Sequence, residues 1–125
     1  MKPHIVTLSG PSLSGKTELS KLLEKDHNYN MVTSVTTRPK RAQEKEGVDY
    51  YFISEEEYKS LNLIQKTNYN NYNYGVSKEE IENKKDKPIL WVIAPKSIEQ
   101  VERLCEVNDY HLTKIFKVIH LWYIR

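Results

Sequence analysis

One cysteine, four arginines against fifteen lysines, and a net charge of only +2 are what this sequence has little of. Each scarcity excludes something. A lone Cys105 cannot close an internal disulfide, and it falls on the apolar face of a helical pattern, which predicts a buried thiol in a reducing compartment. The small net charge, with no concentrated basic stripe, argues against nucleic acid and against a membrane surface as partners. No apolar run is long enough to cross a bilayer, and no signal-like segment precedes the first β-type run, so the expected location is cytoplasmic. No internal repeat is visible. With 125 residues, 38% of them apolar and 29% charged, the composition is globular and predicts one domain.

What is present begins with Gly10-Pro11-Ser12-Leu13-Ser14-Gly15-Lys16-Thr17, a complete G-x-x-x-x-G-K-[ST] pattern. Ile5-Val6-Thr7-Leu8 before it reads as a short buried strand. Glu18 to Lys25 after it reads as a helix with Leu19, Leu22 and Leu23 on one face. Strand, glycine loop and helix in that order make a nucleoside triphosphate site: backbone N–H groups wrap the phosphates, Lys16 reaches the β and γ oxygens, and the Thr17 hydroxyl ligates Mg²⁺. Gly10, Ser12, Ser14, Gly15, Lys16 and Thr17 are the expected ATP-phosphate residues, aided by the partial positive charge of the helix N-terminus.

Met31 to Val35 resumes a β-type pattern, and Thr36-Thr37-Arg38-Pro39-Lys40-Arg41 follows, dense in hydroxyls and cations. Two of the four arginines stand here, three positions apart. Arginine grips an oxyanion with a planar fork where lysine is a point charge, so their placement in a lysine-rich chain suggests a phosphate ligand. Further on, Ser54 with Glu57, Ser77 with Glu80 and Ser97 with Gln100 have capping-box spacing and predict three helix starts. Lys66 to Tyr74 is dominated by Asn and Tyr. Ile89 to Ala94 is a continuous apolar run typical of a strand covered on both faces. Ile98, Val101, Leu104 and Cys105 share a helical face, and Lys114 to Arg125 reads as one last strand. Strands alternating with helices predict an α/β fold with a right-handed parallel sheet.

Ser34-x-Thr36-Thr37-Arg38-x-x-Arg41-x-x-Glu44, then Gly47-x-Asp49-Tyr50-x-Phe52, resembles residue by residue the monophosphate-binding segment of guanylate kinases. The Gly10-Pro11-Ser12 opening and Tyr74-Gly75 are similar to that family too, so the resemblance runs from Ile5 to about Val101. It implies a P-loop NTPase-type parallel sheet flanked by helices, the core at about residues 1–33 and 86–125. A small monophosphate-binding insert would occupy about residues 34–85, with the Asn/Tyr run in a small sheet around the acceptor. The implied reaction is Mg²⁺-dependent transfer of the ATP γ-phosphoryl group to GMP or a related nucleoside monophosphate. Lys16, Arg38 and Arg41 would be its catalytic cations, and Ser34, Arg38, Arg41, Glu44, Tyr50, Gln65 and Tyr74 its acceptor site.

The resemblance also marks departures. Gln65 stands where the family has a glutamate that accepts from guanine, and Val76 replaces the hydroxyl after Tyr-Gly, with Ser77 one position late. The family's L-D-x-D carboxylates correspond to Val92 and Ala94, and no acidic residue occurs between Asp86 and Glu99. The sequence ends at Arg125 before the arginine-bearing lid and last helix of the family, which leaves Arg103 and Arg125 as the other arginines. An open final strand also suggests a homo-oligomer. Three readings follow: a guanylate kinase of reduced activity, a guanylate-kinase-like module that binds a nucleotide or phosphorylated peptide without turnover, or another phosphate-loop enzyme.

Overall fold

In chain order the elements are β1 (His4–Ser9), α1 (Lys16–Asp26), β2 (Asn30–Met31), β3 (Val35–Thr36), β4 (Tyr51–Phe52), α2 (Glu55–Ser60), β5 (Leu63–Tyr69), β6 (Tyr72–Ser77), α3 (Lys78–Lys84), β7 (Ile89–Val92), α4 (Ile98–Asn108), β8 (His111–Val118) and β9 (Leu121–Ile124). They are taken from a computed structural model that describes residues 2–10, 16–118 and 121–124, with Lys16, Thr17 and everything after Phe116 described by backbone alone. The chain divides into two compact units, Met1–Val32 with Asn83–Arg125, and Thr33–Glu82.

The first unit is a sheet in the order β2-β7-β1-β8-β9. Its first four strands are parallel, with Val6 opposite both Leu90 and Thr113. Alternation along β1 sends Val6 and Leu8 to one side, where they pack with Leu90 beneath Leu19, Leu23, Tyr29, Met31 and Ile115. Ile5, Ile89, Trp91, Ile98, Val101 and Cys105 are also buried. A core side chain of this size contributes roughly 1.5–3 kcal/mol by leaving water. Leu22 does not join them and is 48% exposed, because the sheet admits the i, i+4 pair Leu19 and Leu23 and leaves Leu22 on the helix flank.

Two expectations for this unit need correction. The stretch from Lys114 is two strands, β8 and β9, paired antiparallel with Val118 opposite Leu121. Ser97 does not cap α4. Pro95 opens a 3₁₀ turn over Pro95–Ser97 that runs straight into the helix, so Ser97 is already in the right-handed helical region and makes no capping hydrogen bond. No described helix is long and apolar enough to cross a membrane.

The second unit is built on a sheet in the order β4-β3-β6-β5. The β-type run from Met31 to Val35 therefore splits between the two sheets. At the break the Thr33 amide donates to the buried Glu80 carboxylate at 2.7 Å. The Ser77 hydroxyl does accept from the Glu80 amide at 3.1 Å, but the Glu80 side chain has turned to Thr33, so only half of that box forms. The box at Ser54 and Glu57 is complete. The Asn/Tyr run is the hairpin β5–β6, whose two turn residues, Asn70 and Asn71, have φ of 51° and 67°. That is the mirror-image turn matched to strand twist, for which asparagine is well suited. Gly75 on β6 is a close approach: a Cβ there would lie 2.6 Å from the Gln65 carbonyl oxygen.

Candidate acceptor and donor sites

Residues 34, 36 and 38 alternate along an extended segment, as do 50 and 52, and cross-strand pairing puts Thr36 opposite both Phe52 and Tyr74. Opposed residues share a sheet face, so Arg38, Tyr50, Phe52 and Tyr74 gather on one side of the second unit. The Arg38 amide donates to the Thr36 hydroxyl at 3.1 Å, fixing where its side chain departs. A tight turn then returns Glu44: the Glu44 amide donates to the Arg41 carbonyl at 3.1 Å and the Arg41 amide to Glu44 Oε1 at 2.8 Å.

Arg38 meets that carboxylate with two parallel bonds, Nη1 to Oε1 at 3.0 Å and Nη2 to Oε2 at 2.8 Å, the side chains being 11% and 14% exposed. Its Cζ lies 5.4 Å from the Tyr50 ring centre and 5.9 Å from that of Phe52, within cation–π range. Tyr50 touches Phe52 and Tyr74, each at 5.8 Å between centroids. Tyr58 on α2 braces the strand by donating its hydroxyl to the Tyr74 carbonyl at 2.9 Å.

The electrostatics follow from that packing. The Arg38 hydrogen bond to Glu44 raises the arginine pKa, with Tyr74 adding to the effect and burial opposing it. The same bond, helped by the Arg41 amide, lowers the Glu44 carboxyl to about 2. Burial raises the Tyr50 phenol, chiefly by disfavouring its anion. Tyr50 is thus a neutral donor at neutral pH, beside a permanent cation. Arg38 has five N–H groups. Two go to Glu44 and one to the Pro39 carbonyl at 3.0 Å. Tyr50 and Tyr74 are further side-chain hydrogen-bond partners of the guanidinium, so cation and hydroxyls gather on one face, a set of groups suited to an oxyanion.

The other expected acceptor residues divide. Ser34 is half-buried at the start of the same segment, and Arg41 is exposed. Gln65 is 6% exposed and donates Nε2 to the Thr67 hydroxyl at 3.0 Å. Thr67 lies opposite Tyr74, so Gln65, two residues away, shares the face of the Arg38 cluster. Val76, opposite Gln65, is fully buried. Ser77 is turned to α3 and does not replace the hydroxyl Val76 lacks. Sequence reasoning missed Phe52 and Thr67 as site residues; the two-residue spacing from Tyr50 and from Gln65 was the available signal.

On the donor side, β1 ends at Ser9, Gly10 has φ of 153°, a value favouring glycine, and α1 begins at Lys16. Lys16 and Thr17 are thus the first two helical residues. Ser12, Ser14 and Gly15 lie outside the described residues, as do the side chains of Lys16 and Thr17. Val92 and Ala94 are exposed at the end of β7.

The sequence model "Guanylate kinase" matches residues 2–117. Among curated relatives, the guanylate kinase of Anaplasma phagocytophilum is 44% identical over 119 residues, covering 90% of this chain and 56% of that protein. The guanylate kinase of Hydrogenovibrio crunogenus is 38% identical over 112 residues, covering 83% of this chain and 54% of that protein. The crystal structure of guanylate kinase from Anaplasma phagocytophilum superposes with a TM-score of 0.70 at 33% identity, over 94% of this chain and 60% of that one. The chain spans little more than half the length of these relatives. With the family's model covering nearly all of it, the chain belongs to the guanylate kinase family.

Proposed function

We propose that the chain transfers the γ-phosphoryl group of ATP to GMP, giving ADP and GDP, with the Arg38 face as the acceptor phosphate site. The observation that carries this is the Arg38 fork held on Glu44 within cation–π range of Tyr50, with the Tyr50 and Tyr74 side chains as further hydrogen-bond partners of the guanidinium. The transfer needs two phosphates positioned and their charge neutralised. Arg38 takes the acceptor phosphate together with the hydroxyls around it, and Arg41, exposed three residues on, supplies a second cation. Tyr50 and Tyr74 donate hydroxyls, and Ser34 adds a third. Lys16 neutralises the donor phosphates, and ATP fits the order found here of strand, glycine loop and helix N-terminus. ATP supplies the transferred phosphoryl group.

Mg²⁺ fits the residues less well. Among the described residues no group of three or more His, Cys, Asp or Glu is placed to hold a metal ion. β7 and the two residues after it are Ile89-Leu90-Trp91-Val92-Ile93-Ala94, without a carboxylate. Thr7 and Ser9 on β1 have buried hydroxyls with no partner among the described residues, but hydroxyls do not neutralise a dication. Thr17 alone carries the metal role of the loop pattern.

That acid-free strand favours a second reading, a guanylate-kinase-like module that holds a nucleotide or phosphorylated peptide without turnover. A coupled assay with ATP, Mg²⁺ and each nucleoside monophosphate separates the two. Lys16-dependent GDP formation from GMP, abolished in Lys16→Ala, is expected. No Lys16-dependent diphosphate from any acceptor would leave only binding.

A further inference from the structure

The geometry points to Glu80 as a positioning residue of the acceptor site. From behind the sheet it fixes both the segment that carries Ser34 and the strand that carries Tyr50 and Phe52, and so sets how tightly a nucleoside monophosphate is held on Arg38. This rests on the reading of the Arg38 face as a nucleoside monophosphate site.

Glu80 stands where it could have closed a capping box on the Ser77 amide. The Ser77 hydroxyl does accept from the Glu80 amide, but the Glu80 carboxylate leaves its helix and takes the Thr33 amide at 2.7 Å. With the residue only 8% exposed, that is a charge-assisted bond whose loss would strand a buried donor. Thr33 is followed by Ser34, and the Ser34 carbonyl accepts from the Tyr51 amide at 2.9 Å. Glu80 is thus one hydrogen-bonded step from β4.

β4 is two residues long and lies at the edge of its sheet. Such a strand has little of its own to hold it. Alternation turns Tyr51 away from Tyr50 and Phe52, to the face it shares with its partner Val35. There the Tyr51 hydroxyl is a side-chain hydrogen-bond partner of Glu80, and the phenol is raised first by burial and then by the Glu80 charge and that bond. One carboxylate therefore holds the approach to β3 through Thr33 and the back of β4 through Tyr51. The rings that β4 presents on the other face, Tyr50 and Phe52, stand 5.4 and 5.9 Å from the Arg38 Cζ. A misplacement of about 1 Å at a binding site can cost up to roughly a hundredfold, so loosening this support reads out in affinity.

Calorimetric titration of GMP into the full chain, Glu80→Ala, Tyr51→Phe and the double variant tests this. Each is titrated at a temperature where its melting profile shows it folded, so that partial unfolding does not raise Kd. Glu80→Ala is expected to raise Kd roughly fivefold or more and Tyr51→Phe roughly threefold. In the Glu80→Ala background Tyr51→Phe is expected to add less than about twofold, its hydroxyl having already lost its partner. An unchanged Kd in either folded single variant, or effects that multiply in the double variant, overturns the inference. If Glu80→Ala does not fold, Tyr51→Phe decides alone: a raised Kd supports the role of Glu80 and an unchanged one overturns it. Arg38→Ala keeps the two levels apart. GMP binding that is absent, or that Arg38→Ala leaves unchanged, removes the acceptor reading and this inference with it. Binding that depends on Arg38 but not on Glu80 or Tyr51 removes only the role of Glu80.

Discussion

Arg38 and Glu44 meet fork to fork, Nη1 on Oε1 at 3.0 Å and Nη2 on Oε2 at 2.8 Å, and this pairing fixes the direction of the guanidinium. Without Glu44 the guanidinium would keep its charge and lose its direction. Glu44→Gln, which keeps the shape and one acceptor, is expected to raise KM for GMP while leaving kcat for the bound complex within about threefold, since the change acts on positioning of ground and transition state alike. Steady-state kinetics with varied GMP read the split.

The pairing also has a pH signature. The Glu44 carboxyl is lowered from an ordinary 4.5 to about 2, so its contribution to stability is full above pH 4.5 and is lost as pH falls through about 2. A ¹³C titration of the Glu44 carboxyl is expected to show a midpoint near 2. A midpoint near 4.5 would mean that the fork does not hold in solution.

Glu80 tests how the second unit begins. The residue is 8% exposed and its carboxylate accepts the Thr33 amide at 2.7 Å. Glu80→Ala strands that buried donor and is expected to cost about 1–3 kcal/mol, seen as a lower urea midpoint and faster hydrogen exchange at Thr33.

Cys105 is buried and its thiol is pushed up to about 11 by burial. Thiolate is therefore scarce at pH 8, and labelling by a disulfide reagent is expected to be slow in the native protein and fast in guanidinium. Rapid native labelling would contradict the packing of α4.

The hairpin turn carries a stability prediction of its own. Asn71→Ala forces an alanine to φ of 67° and is expected to cost about 1 kcal/mol, measured by chemical denaturation.

Much of this was legible in sequence where side-chain chemistry and local spacing agree. The glycine loop lay between a strand and a helix, Arg38 stood out as an arginine in a lysine-rich chain, and Glu44 and Tyr50 were named by the resemblance of the Ser34 to Phe52 segment to guanylate kinases. What escaped was decided by partners far along the chain. Met31 to Val35 reads as one strand until Glu80, 47 residues on, takes the Thr33 amide. The Ser77 box fails for the same reason. Ser97 has the spacing of a cap, but the 3₁₀ turn begun by Pro95 has already made it helical. The division of the stretch from Lys114 into β8 and β9 was not announced, since no Gly, Pro, Asn or Asp occurs in it. The Asn/Tyr run looked featureless although its Asn70-Asn71 pair is what the hairpin turn needs.

In the proposed reaction Arg38 is the acceptor's phosphate ligand. GMP titrated into the unaltered chain, Arg38→Ala and Arg38→Lys measures that directly. A bidentate charged contact is worth about 1.5–3 kcal/mol, so Arg38→Ala is expected to weaken binding at least tenfold, and Arg38→Lys, which cannot present an edge, is expected to recover only part of the loss. Isotherms that do not change between the three proteins would contradict it.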